Sequence, residues 1–233
     1  MGDILFRESK FNEAERAYST AVQVDPHCAR GYWGLGRLEI LTSHREAAHD
    51  HIAKAFQLNP REPDIVLSFA DFVQDPSARI TLLRNFLALA NGNSEDRARR
   101  GDVAARLEIT ERLGHVDLAR LASPYRPYRI KLAGYFPNGH TQSGLLIQVS
   151  LNGGRRLQLI LDSGADGIFV NAASARAAKV EPLIAERVDD VGSAADSNAY
   201  VALAHHVTMG SLELEDCLVH VTDTSAFPTA DGV

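Results

Sequence analysis

Val24-Asp25-Pro26 and Leu58-Asn59-Pro60 bracket the stretch that decides the fold of the first half of this chain: the two triplets lie 34 residues apart, and the same offset sets Ala14 on Ala48 and Ala21 on Ala55. Small and apolar positions that recur at a fixed interval mark stacked supersecondary units. The small residues have a packing reason. Two antiparallel helices joined by a short turn approach closely only where side chains are small, and Gly36 and Ala48 are placed for that contact. A proline after each second helix stops it, because proline lacks an N–H and its ring clashes with the preceding turn.

Outward from that stretch, helical spacing continues from Asp64 to Leu121, as in Val66-Leu67-Ser68-Phe69-Ala70 and Ile80-Thr81-Leu82-Leu83-Arg84-Asn85-Phe86-Leu87. We read one or two degenerate helical hairpins there, with breaks at Asn91-Gly92-Asn93-Ser94 and Leu113-Gly114-His115. The pattern Tyr32, Leu35-Gly36, Ala48, Ala55 and Pro60, preceded by Ala14, Tyr18, Ala21 and Pro26, resembles the tetratricopeptide repeat family. It departs from that family at Ser9 and Ser43, where a turn glycine is usual, and at Glu39, where an aromatic is common. The resemblance implies stacked helix pairs whose surface holds a peptide or partner protein. A spacer or oligomerisation module is the alternative, since an array of about two to four units offers a small groove.

The last 90 or so residues change period. Leu145, Ile147, Val149 and Leu151 alternate with more polar neighbours, Asn152-Gly153-Gly154 intervenes, and Leu157, Leu159 and Leu161 alternate again. This spells a hairpin, since Asn-Gly tolerates the positive backbone angles of a tight turn. Tyr200 to Met209 and Leu212 to Val221 form a second pair around Gly210-Ser211. Between the halves, Ser123-Pro124-Tyr125-Arg126-Pro127-Tyr128 disfavours helix. The expected organisation is tetratricopeptide repeats over 1–62, degenerate hairpins over 63–121, a linker over 122–140 and a strand domain over 141–233.

The first strand pair runs into Leu159-Ile160-Leu161-Asp162-Ser163-Gly164-Ala165-Asp166, followed by Ile168-Phe169-Val170. That string resembles the signature of retropepsin-like aspartic proteases. The resemblance implies a multidomain chain, α then β: a tetratricopeptide-like solenoid and then a closed β-barrel, incomplete at its C-terminal end. It implies an aspartic endopeptidase in which Asp162, with Ser163 and Gly164, forms the catalytic turn. Ala165, Asp166 and Gly192 are then expected at the substrate, Gly192 at the tip of a flap between Arg187 and Tyr200. The alternatives are a turn-capping Asp166 and a plain surface loop. Two carboxylates sharing one proton can deprotonate a water while protonating a carbonyl oxygen. One motif supplies one carboxylate, so the resemblance implies a homodimer acting on a peptide or protein substrate. The rival reading is a non-catalytic protein-binding scaffold, and a third is a repeat-only adaptor.

Composition narrows the partners. A formal charge of -6, with acids and bases interleaved, excludes a polyanion-binding surface, so no nucleic acid is expected. No apolar run reaches the length of a membrane span. Cys28 and Cys217 lie in different halves and suggest neither a disulfide nor a metal site. His205-His206 point to opposite faces of a strand, so no metal and no cofactor are expected. Taken literally the chain reads as cytoplasmic; a missing N-terminal signal would make it periplasmic or secreted, and the natural product is expected to be longer.

Overall fold

A computed structural model describes residues 1–90, 94–114, 116–165, 167–185, 199–222 and 230–233. The chain divides into two compact units, Met1–Arg112 and Leu113–Val233.

The first unit is a succession of helices: α1 (Gly2–Arg7), α2 (Phe11–Val24), α3 (Ala29–Leu41), α4 (Arg45–Leu58), α5 (Pro63–Ala70), α6 (Pro76–Leu89) and α7 (Ser94–Leu113). Proline opens α5 and α6, where its missing N–H costs nothing. Asp75 caps α6 by accepting from Ala78 N at 2.7 Å. Arg100 closes the other end of α6 by donating to the carbonyls of Leu87 (2.5 Å) and Ala90 (3.0 Å). The turns before α2 and α4 hold Ser9 and Ser43 at φ of 57° and 61°, the left-handed conformation that explains why glycine is usual there. The contact of α3 with α4 runs through Gly36, where a Cβ would stand 2.6 Å from Ile52 Cγ1 and 3.1 Å from Ala48 O.

The interior of this unit is a series of small clusters. Ala14, Tyr18 and Leu38 form one, Trp33, Ala55 and Ile65 the next, and Val66, Ala70, Leu83, Phe86 and Val103 a third. Phe56 packs against both of the latter and stacks on Phe69 at 4.5 Å between ring centroids. This unit is a stack in which each helix packs on the next. The break expected at Asn91-Gly92-Asn93, and His115 beside the later one, lie outside the described residues.

The second unit holds β1 (Arg120–Leu121), β2 (Leu132–Tyr135), β3 (Gly144–Leu151), β4 (Arg156–Ile160), β5 (Ile168–Asn171), α8 (Ala172–Ala178), β6 (Glu181–Ala185), β7 (Tyr200–Met209) and β8 (Leu212–Thr222). Asn152 and Gly153 turn β3 into β4 with φ of 49° and 70°, and Gly210 turns β7 into β8 with φ of 65°. The strands follow the order β1-β8-β7-β3-β2, with β4 on β3, β5 on β8 and β6 on β7. All pairings are antiparallel except that of β5 with β8. One core lies under them, built from Val149, Leu151, Leu157, Leu159, Val170, Ala202, Val207, Val219 and Val221 and covered by Ala175 and Ala178 of α8.

The closed barrel expected from the sequence is corrected by this topology to an open sheet. Its end strands, β1 and β2, are two and four residues long and each registers with one neighbour. β4 and β5 form no ladder with each other; the segment 231–233 runs between them. Gly232 bridges Leu159 on one side and Val170 on the other, and Ile160 N donates to Gly232 O (2.9 Å) while Phe169 N donates to Val233 O (2.7 Å). A Cβ at Gly232 would stand 1.8 Å from Phe169 O, so only glycine passes there. Among the described residues no helix is long and apolar enough to cross a membrane.

Candidate functional site

The first helix of each repeat pair carries polar residues at one-turn spacing. On α3 these are Arg30, Trp33 and Arg37, on α1 Asp3 and Arg7, and on α5 Asp64 and Ser68. With Arg99 of α7 they line a cavity of about 300 Å³. Positions one repeat apart become neighbours because successive units stack in register. Arg30 donates to Asp64, 34 residues on, at 2.9 Å, and Trp33 Nε1 donates to Ser68 Oγ, 35 on, at 2.9 Å. Arg30 also donates to Glu62 (2.9 Å) and Asp3 (3.3 Å), and Arg99 donates to Asp64 at 2.5 Å.

Electrostatically the cavity is unbalanced. Four guanidiniums face it against two carboxylates, in a chain that is acidic overall. Burial works against the Asp64 charge, but the hydrogen bonds from Arg99 and Arg30 outweigh it and hold the carboxyl below its ordinary range. Burial raises the Tyr18 phenol, and its hydrogen bond to Asp3 (2.7 Å) adds to the effect. Arg37 differs from Arg30. Its guanidinium lies 3.7 Å over the Phe6 ring and 4.3 Å over Trp33, with no carboxylate in ion-pair contact among the described residues. Burial pushes its pKa down, and the charges of Asp3 and Asp64, both bonded to other groups, offset that only in part. Aromatic faces compensate part of that loss, since a cation over a π-face gains about 0.5–2 kcal/mol.

This groove was not among the site residues expected from the sequence. Opposite charges one repeat apart, Arg30 with Asp64, are the signal that would have found it.

The expected catalytic turn follows β4. Asp162 and Ser163 are exposed, and Asp162 Oδ1 accepts from Gly164 N at 2.8 Å, an ordinary turn contact. Ala165 N approaches Asp162 O at 3.4 Å. Asp162, Ser163, Gly164 and Ala165 are therefore brought together; Asp166, Gly192 and most of the flap lie outside the described residues.

No protein-family model matches this chain, and no curated protein matches it. Among solved structures it is similar to the Yersinia enterocolitica type III secretion translocator chaperone SycD, with 14% identity over 49% of this chain and 81% of that one and a TM-score of 0.42. The same chaperone in complex with a peptide of the translocator YopD gives 15% identity, coverage of 47% and 86%, and a TM-score of 0.40. The TPR2B-domain:pHsp70 complex of yeast Sti1 gives 17%, 49% and 90%, and 0.36. These neighbours are chaperone and repeat-domain proteins, not proteases. The aspartic endopeptidase expected from Asp162-Ser163-Gly164 is corrected: the sheet that carries this turn is open rather than a closed barrel, and the matched structures are of chaperone and repeat-domain proteins.

Proposed function

We propose that the chain is a non-catalytic protein-binding scaffold whose helical unit receives an acidic segment of a partner protein in the groove of α1, α3, α5 and α7. The observation that carries this reading is Arg37, a half-buried guanidinium set over two aromatic rings without a carboxylate of its own. A partner's carboxylate supplies the missing charge. Hydrogen bonds to charged groups contribute about 1.5–3 kcal/mol each, enough for one contact to dominate a short peptide's affinity. Arg30, already bound to three acids, orders the wall beside it.

The expected homodimer and protein substrate followed from a shared pair of catalytic carboxylates, and both lose that argument with the protease reading. The test is calorimetric titration of the full chain with an acidic peptide and with its amide-substituted (Asp→Asn, Glu→Gln) form. The acidic form should bind more tightly, and Arg37→Gln should weaken it about tenfold or more. Equal affinity of both peptides, or an unchanged affinity in Arg37→Gln, would sink the proposal.

A further inference from the structure

The strand unit carries a second cationic site, unrelated to the groove. Val149, Leu151, Leu157 and Val207 point into the core, so their neighbours Ser150, Arg156 and Thr208 face the other side of the sheet. Registration sets those three in one row: Ser150 is opposite Arg156 on β4 and opposite Thr208 on β7. Gln148 stands two residues from Ser150 on the same face. The segment leading into β2 adds Arg129 and Lys131, and these six, with Ile130, Val149 and Gly210, line a cavity of about 330 Å³.

Three cations line this cavity and no acid does. Glu213 is next in the row, opposite Thr208, but lies on the far side of it and is not part of the lining. Arg120 and Arg155, elsewhere in the unit, are paired with Glu215 and Asp231. Arg129, Lys131 and Arg156 have no ion pair among the described residues. All three are exposed at this cavity, so three like charges share its wall without a counter-ion, and an anion that enters is attracted by each. Ser150 spends its proton on Gly154 O at 2.8 Å, so the Thr208 hydroxyl and the Gln148 amide are the neutral donors available to a ligand.

We propose that this cavity binds a small phosphate monoester. A dianion with three acceptor oxygens answers three cations and two neutral donors better than a single carboxylate does. The volume is at the low end of small-molecule sites, about 300–1,000 Å³, which admits a phosphoryl group with a short organic substituent. A nucleic-acid backbone would need a stripe of positive charge, whereas this chain is acidic and the cations are gathered in one cavity.

The experiment is calorimetric titration of the full chain with inorganic phosphate, with glycerol phosphate and with acetate, at matched ionic strength. Phosphate and its ester should bind saturably and acetate at least about tenfold more weakly. Arg156→Gln and Lys131→Gln should each reduce phosphate affinity about tenfold, Arg156→Lys should retain part of it, and Arg37→Gln in the helical unit should leave it unchanged. Absence of saturable binding, acetate binding as tightly as phosphate, or full affinity in Arg156→Gln overturns the proposal. Thr208→Val, which removes a donor and no charge, gives a second reading should a charge variant fold poorly; unchanged affinity there removes the cavity from the site.

Discussion

The helical unit and the strand unit are held together in opposite ways. The helices bury their apolar residues in several small clusters, each shared between neighbouring helices, with links that reach about one repeat along the chain. The strands share one core, and the segment 231–233 is fastened to residues 158–171, some sixty to seventy positions earlier. In the first, constraint is spread thinly along the sequence. In the second it is concentrated at a few points, and a single residue at such a point should matter far more.

Gly232 is the strongest test of that contrast. A Cβ there meets backbone atoms, 1.8 Å from Phe169 O and 2.8 Å from Phe169 C, which cannot rotate away. Gly232→Ala should cost the strand unit roughly 3 kcal/mol or more. Hydrogen exchange would locate the loss in β4 and β5, with helical amides unaffected. The matched change, Gly36→Ala, meets first the Ile52 side chain, which can give, and should cost about 1–2 kcal/mol. Equal losses would break the comparison.

Asp231 sharpens it. Its side chain accepts from Arg155, from Ser174 Oγ (2.8 Å) and from Gln158 N (2.8 Å). Burial raises its pKa, but the bonds from Arg155, Gln158 and Ser174 outweigh that and hold it below the ordinary carboxylate range. A depressed carboxyl contributes stability that is fully present above its unfolded pKa, about 3.9, and is lost as pH falls through the folded value. Asp231→Asn should therefore cost about 2 kcal/mol at pH 7 and much less under strongly acidic conditions. Denaturant unfolding at both pH values checks this; a difference independent of pH would show that the carboxylate's charge is not what holds the segment.

The smallest effect belongs to the helical unit and has the opposite sign. Ser43 at φ 61° carries a Cβ where the left-handed conformation costs about 1 kcal/mol, and glycine's greater freedom when unfolded offsets part of the gain. Ser43→Gly should stabilise by about 0.5 kcal/mol, a shift of a degree or two or a little more in Tm. A loss instead would mean that the serine hydroxyl is engaged in the turn.

The same contrast explains how much of the molecule was legible in the sequence. Gly36 against Ala48, proline after the second helix of each pair, and Asn152-Gly153 and Gly210-Ser211 in the hairpins were readable because each is settled by residues close along the chain or by one repeat's offset. Whether the sheet closes was not, because it depends on the lengths of β1 and β2 and on the path of 231–233, which no local pattern fixes. The Asp162-Ser163-Gly164 turn was read as chemistry, yet three residues specify a reaction only when a surrounding fold supplies its partners. The groove arginines were missed for the converse reason: polar positions on a helix carry no hydrophobic period, and their meaning appears only when Arg30 and Asp64 are set side by side.

Trp33 gives the groove one further property. It is the only tryptophan in the chain, 7% exposed, with guanidiniums 4.5 Å and 4.3 Å over its ring. Indole emission responds to charge held close to the ring, so neutralising Arg37 alters the field on the one fluorophore of its kind. The protein carries an unlabelled optical gauge of its own groove, to which events in the strand unit contribute no tryptophan signal.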